Sequence, residues 1–299
     1  MHGGGHLNPL EYYAAQGPMS DPRSEAGGFA GLPTEVQALR DIVQGLLVHI
    51  LWAKRYGLAL SQEREAELQI RPVSEKLKCI RELDDRPLTE TRALENRLVG
   101  NCRDISLMLC AMLRYQGVPA RARCGYATYF LPDHFEDHWI CEYWNRKEQR
   151  WIMVDAQLDS FQRDKLDIRF DPLDVPNDQF LTGGKSWQLC RAGKADPDQF
   201  GIFDMHGLWC VRGNLIRDLG ALNKIELLPW DSWGLIDKDE KSISEEDMKL
   251  LDHTATITLA DNCRFSEMRA TYENNALLRI PTTIRSYFGS GVQTVEINV

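Results

Sequence analysis

One pentapeptide, Gly100-Asn101-Cys102-Arg103-Asp104, constrains the fold of this chain more than any other stretch. Asn101 is a strong helix N-cap, because its short side chain can accept a bond from an N–H that the first turn leaves without a partner. Ile105, Met108, Leu109 and Met112 follow at helical spacing and predict a buried helix, which Gly117-Val118-Pro119 brings to a stop. Cys102 thus falls on the first turn of a helix packed into a core. Beyond the stop, Arg121 to Phe130 reads as a strand, weakened at Gly125, and His138 to Trp144 as another. The polar run Asn145-Arg146-Lys147-Glu148 turns the chain into a third strand, Trp151 to Asp155, so the last two should pair as an antiparallel hairpin.

This order of elements carries a chemical expectation. A thiol attacks well only as thiolate, and a helix N-terminus or a neighbouring imidazolium favours that form. Cys102 has the helix start. His138 opens one hairpin strand and Asp155 closes the other, so the two should be neighbours in space. A nucleophile, a base and a group that orients the base are the parts of covalent acyl transfer.

The same residues resemble the transglutaminase-like superfamily, whose fold is related to that of papain-type thiol proteases. The first block is Gly100 to Asp104, continued by Leu113-Arg114, Gly117 to Arg121 and Gly125-Tyr126. The second is His138-Trp139-Ile140-Cys141-Glu142, and the third is Trp151-Ile152-Met153-Val154-Asp155. The resemblance covers about residues 88–160 and is similar in order and spacing to the family's Cys, His, Asp triad. It implies Cys102 as nucleophile, His138 as general base and then acid, and Asp155 as the orienting group. Reaction would run through a thioester on an amide or ester carbonyl. The backbone N–H of Cys102 is the natural first oxyanion donor. Trp52, Asn101 and Gln157 are the candidates for the second.

The flanks are read from composition and period. Residues 1–33, rich in Gly, Pro, Ser and Asp, suggest a flexible tail, although Tyr12-Tyr13 could dock. His2 and His6 flank a glycine run, a pattern for weak metal affinity. Thr34 and Gln37 suggest a capping box, and Val36, Leu39, Val43, Leu46 and Ile50 then predict one long helix to about Tyr56. Further helices are expected near 61–69, 73–83, 89–98, 186–192, 208–222 and 244–253, and a strand within 286–299. The expected whole is an α+β protein. A tail (1–33) precedes a papain/transglutaminase-like core (34–185) with a helical N-terminal part and an antiparallel sheet. A largely helical C-terminal extension (186–299) packs on that core.

Composition excludes some classes. The formal net charge of −9 and a pI of about 5.4 give no general attraction to nucleic acid or anionic membrane. No apolar run approaches the roughly 20 residues of a spanning helix, and Met1 to His6 has no leader-like character. The eight cysteines form no CxxC pair, which fits free thiols in a cytoplasmic enzyme. Phosphate-loop and dinucleotide patterns are missing, so no cofactor is expected, and the partner is a peptide, protein or small amide substrate.

Several residues keep two readings. Arg103 and Asp104 can contact substrate or form a local ion pair and cap. Glu142 can support His138 or be a paired structural charge. His134 and His138, four apart in a loop-to-strand stretch without HExxH, can bind zinc or be a surface and a catalytic histidine. Trp187, Trp209, Trp230 and Trp233, with Arg191, Arg212, Asn214 and Arg217, can wall a cleft or pack the extension. A non-catalytic binding module on the same fold, and a metal protein built on Cys102 and His138, are the rival functions.

Overall fold

The computed structural model describes residues 8–260, 262–289 and 291–298. The first half contains α1 (Pro9–Ala14), α2 (Val36–Leu46), β1 (Leu47–His49), α3 (Ile50–Ala53), α4 (Gln62–Glu65), α5 (Val73–Leu83), β2 (Leu98–Gly100), α6 (Cys102–Tyr115), β3 (Ala120–Ala127), β4 (Phe135–Asn145) and β5 (Arg150–Val154). The second half contains α7 (Ser160–Leu166), β6 (Phe180–Thr182), α8 (Gly183–Arg191), β7 (Phe200–Ile202), β8 (Met205–His206), α9 (Leu208–Leu222), β9 (Asp231–Ser232), α10 (Glu245–Thr258), α11 (Phe265–Asn274), β10 (Thr283–Phe288) and β11 (Gly291–Glu296). Among the described residues no helix is long and apolar enough to cross a membrane.

Contacts divide the chain into two compact units, and the cuts fall inside β3 and β4 rather than near residue 185. One unit comprises Tyr13–Ala122 and Trp139–Pro176. Its centre is α6, whose side chains are buried from Cys102 through Arg114. The expected hairpin is present here: β4 and β5 pair antiparallel from Cys141↔Val154 to Asn145↔Arg150. Ser106 Oγ on α6 donates to the Trp139 carbonyl at 2.9 Å and ties the helix to β4.

The single long helix expected to run to Tyr56 is instead interrupted. Glu35 is its N-cap, without the side-chain cap suggested by Thr34 and Gln37. After Leu46 the chain extends for three residues as β1, which pairs in parallel with β2: Leu47↔Leu98, Val48↔Val99, His49↔Gly100. A helical period survives there because Leu46, Leu47 and Val48 are all buried, so the apolar pattern cannot distinguish helix from a short buried strand. The same pairing corrects the helix expected over 89–98, where only Leu94–Asn96 form a 3-10 turn before β2.

The N-terminal stretch also differs from the expected flexible tail. Within this unit Tyr13 and Phe29 are buried, Tyr13 packs edge-on to Trp151 at 5.6 Å, and the Arg121 guanidinium lies 4.0 Å over the Trp151 ring. Aromatic area and a cation give this polar-looking segment enough to dock.

The other unit comprises residues 8–12, Arg123–His138 and the described residues from Asn177 onward. Its sheet takes the order β6-β3-β4-β7-β8, with β3 antiparallel to β6 and β7 parallel to β4. The expected antiparallel sheet is therefore mixed. Gly125 pairs with Thr182, and a Cβ there would lie 2.1 Å from the Leu181 carbonyl oxygen, so the glycine is what lets β6 approach. Behind this sheet α8, α9, α10 and α11 form the helical extension, and β10 with β11 makes a closing hairpin that also pairs β9. Arg123 donates to Asp218 through Nε at 2.9 Å and Nη2 at 2.8 Å, a buried two-point pair.

Candidate active site

Cys102 is the first residue of α6 and is 9% exposed. The expected cap is present in full. Asn101 Oδ1 accepts the Asp104 N–H at 3.1 Å, and Asp104 Oδ2 accepts the Asn101 N–H at 3.1 Å. Asp104 Oδ1 also lies 3.0 Å from Lys76 Nζ and 3.0 Å from Arg103 Nη1, all three side chains being fully buried. Burial lowers the Lys76 pKa and the Asp104 charge opposes that shift. Of the two readings for Arg103 and Asp104, the geometry gives the cap and ion pair. Their task is to hold the helix start that carries the nucleophile candidate.

Asp155 directly follows β5 and is 1% exposed. Its Oδ1 accepts the Gln157 N–H at 2.9 Å, and its own N–H donates to the Pro172 carbonyl at 2.9 Å. These bonds fix the residue at the point where the strand turns into loop. Glu142 accepts from Arg121 Nε at 2.6 Å and is thereby a paired structural charge.

His138 lies on β4, three residues before the first pair of the β4–β5 ladder, and is 2% exposed. Its ring is surrounded by aromatic edges: Phe130 at 4.9 Å, Tyr129 at 6.1 Å and Phe180 at 6.4 Å between centroids. Next to it, burial raises the Asp137 carboxyl pKa, with Arg217 and an Asn214 hydrogen bond pulling it back. His134 points elsewhere, with Nε2 3.3 Å from the Gly201 carbonyl. Among the described residues no three His, Cys, Asp or Glu side chains are gathered to hold a metal ion. His2 and His6 lie outside the described residues.

The tryptophans of the extension are mostly structural. Trp187 Nε1 donates to Asp252 at 2.7 Å beside Arg191, Trp233 Nε1 donates to the Leu278 carbonyl at 3.0 Å, and Trp230 packs on Phe288 at 5.0 Å. Arg212 donates to the Lys238 carbonyl, and Arg217 donates to the Asp231 carbonyl and lies 3.4 Å from Asn214 Oδ1. Trp209 stays partly exposed.

A small cleft opens beside α6 in the unit that holds Cys102 and Asp155. Its walls include Ile105, one turn after Cys102, and Ala156 and Gln157, which follow Asp155. Its floor is β1, with Leu47, Val48 and His49. At its polar end the Tyr56 hydroxyl donates to Asp159 Oδ2 at 2.6 Å and accepts from Gln162 Nε2 at 2.9 Å. Burial raises the Tyr56 pKa, so the phenol stays protonated and remains a donor. Sequence reasoning missed this wall of the site because β1 reaches it only through pairing with β2.

Residues 54–156 match the family model of the transglutaminase-like superfamily. Among solved structures, a candidate cysteine protease from Cytophaga hutchinsonii is similar over 57% of this chain, at 18% identity and a TM-score of 0.32. The chain spans 44% of that protein's length. No curated protein matches. The matched segment contains Cys102, His138 and Asp155, together with the capped helix and the hairpin described above. Over residues 54–156, then, this chain is similar to the transglutaminase-like superfamily.

Proposed function

We propose that the chain is a cysteine-nucleophile enzyme in which Cys102, His138 and Asp155 act as a triad on amide or ester carbonyls. The observation that carries this reading is the placement of Cys102 as the first residue of a fully capped, buried helix inside the matched segment. Amides at a helix start are oriented outward and stabilise both a thiolate and a developing oxyanion. The other two members follow Cys102 within the same matched segment, in the order His138, then Asp155.

In this mechanism His138 takes the Cys102 proton and Asp155 holds the imidazole in orientation. The thiolate attacks, the leaving group departs with the proton from His138, and a thioester remains. Water or an amine then releases the acyl group, giving hydrolysis or transfer. Peptides, proteins and small amides are the substrate class. A reducing cytoplasm suits a chain whose eight cysteines are all free thiols.

Two measurements test this. Iodoacetamide near neutral pH should alkylate Cys102 ahead of the other thiols, and His138→Ala should slow that reaction at least tenfold. Labelling of Cys102 no faster than the exposed Cys263 in the wild-type chain removes the activated thiolate. Capture of substrates from extract by Cys102→Ala, read by mass spectrometry, then identifies the acyl donor.

A further inference from the structure

The cleft beside α6 is lined by a half-buried cation, Arg97, which sits just before β2. Its backbone is held from both sides: its N–H donates to the Leu94 carbonyl at 3.3 Å, and its carbonyl accepts from Arg64 Nη2. Its Nε donates to the Arg92 carbonyl at 3.1 Å. The two terminal nitrogens of the guanidinium have no hydrogen-bond or ion-pair partner among the described residues. Burial lowers the Arg97 pKa, and the charge of Asp159 opposes that shift only in part. Asp159 cannot do more, because both its oxygens are engaged. Oδ1 accepts the Gln162 N–H at 2.8 Å as the cap of α7, and Oδ2 accepts the Tyr56 hydroxyl at 2.6 Å.

A second observation comes from the direction of the hydrogen bonds along the same wall. The Asp159 carboxylate can only accept, so the Tyr56 O–H points at it. Gln162 must then give an N–H to the Tyr56 oxygen, at 2.9 Å, which turns the Gln162 carbonyl oxygen toward Gln157. Gln157 must in turn give its N–H to that oxygen, at 3.2 Å. The relay therefore ends on Gln157 Oε1, an acceptor that is buried without a partner on a side chain only 5% exposed. Gln157 and Arg97 line the same cleft.

An unpaired cation and an unpaired acceptor define what complements them. We propose that the cleft binds the C-terminal end of a peptide or an N-acylated amino acid, with its carboxylate on the Arg97 guanidinium and an amide N–H on Gln157 Oε1. The planar fork of Arg97 suits a carboxylate, and the charge makes each bond stronger than a neutral one. An inorganic anion has no N–H for Gln157, and a neutral amide leaves Arg97 bare. The site also adjoins Asp155, whose Oδ1 accepts the Gln157 N–H at 2.9 Å. As a substrate feature this rests on the triad proposed above, and it narrows the substrate class to molecules that carry a free carboxylate.

The test is calorimetric titration of the intact chain with N-acetylglycylglycine, N-acetylglycylglycinamide and acetate. The first should bind at least tenfold more tightly than either of the others, since the amide lacks the charge and acetate lacks the N–H. Arg97→Gln should weaken N-acetylglycylglycine about tenfold or more, and Arg97→Lys, which keeps the charge without the fork, should recover part of the loss. Equal affinity for N-acetylglycylglycine and its amide overturns the assignment, and this comparison needs no variant to fold. Acetate within twofold of N-acetylglycylglycine overturns the peptide class, and unchanged affinity in a folded Arg97→Gln chain removes Arg97 from the site. Binding is read without turnover, so failure of this site and failure of Cys102 to label are separate results.

Discussion

Asp104 offers the sharpest test of how the nucleophile helix is held. Its carboxylate caps Asn101 and faces Lys76 Nζ and Arg103 Nη1, each at 3.0 Å, with no solvent exposure on any of the three side chains. Asp104→Asn keeps the shape and an acceptor but removes the charge. Breaking a buried pair by neutralising one partner costs about 3–5 kcal/mol, because the remaining charge stays buried without compensation. The cost has a ceiling, since Lys76, already lowered by burial, can lose its proton instead. Removing the cap alone, as in Asn101→Ala, should cost about 1 kcal/mol. The predicted order is therefore Asp104→Asn well below Asn101→Ala, with a fall in Tm of roughly 6–20 °C for the former at about 2–4 °C per kcal/mol. Urea unfolding followed by tryptophan emission reads this through Trp139, whose carbonyl Ser106 binds from α6. Adding Lys76→Met should restore much of the loss, because an apolar replacement of a buried pair is close to neutral. An Asp104→Asn loss under about 1 kcal/mol, or no recovery in the double variant, refutes the claim that the pair is what secures the helix start.

Further outcomes follow from other sites. Gly125→Ala should cost about 1–3 kcal/mol and loosen β3 from β6, read as faster amide exchange at Phe180–Thr182, because the new Cβ meets the Leu181 carbonyl. Asp137→Asn should raise Tm at pH 7.5 and lose that advantage toward pH 4. The folded-state pKa of Asp137 is raised by burial, so the native carboxyl favours its proton and its stabilisation fades as pH rises through that value. Thiol labelling at pH 8 should run Cys102 first, then exposed Cys263, with half-buried Cys190 and Cys210 behind it, since burial pushes the last two up to about 11 and about 12. A Cys190 or Cys210 that labels with Cys263 would contradict those shifts.

The parts legible in the sequence are those set by near neighbours. Asn101, Cys102 and Asp104 specify their own helix start within four residues, α5 occupies the expected 73–83, and the β4–β5 hairpin follows from a polar turn between two apolar runs. The parts that were not legible depend on distant partners. Leu47 and Val48 look helical until Leu98 and Val99 lie beside them, and His49 comes to stand beside Gly100 only through that pairing. Likewise Tyr13 looks like part of a solvated tail until Trp151 and Arg121 are there to receive it. Local signals fix elements, whereas a wall made by a three-residue parallel strand leaves no local trace.

The β1–β2 and β3–β6 pairings also bear on what can be cut out of this chain. An excised fragment limited to the matched residues 54–156 would contain β2 without Leu47–His49 and β3 without Phe180–Thr182. It would keep Cys102, His138 and Asp155 yet present two bare strand edges, at Leu98–Gly100 and at Gly125–Ala127, each ready to pair with a second molecule. Such a fragment should self-associate rather than react. The shortest autonomous form must begin before Leu47 and continue past Thr182, so the boundary of recognisable similarity is narrower than the boundary of independent folding.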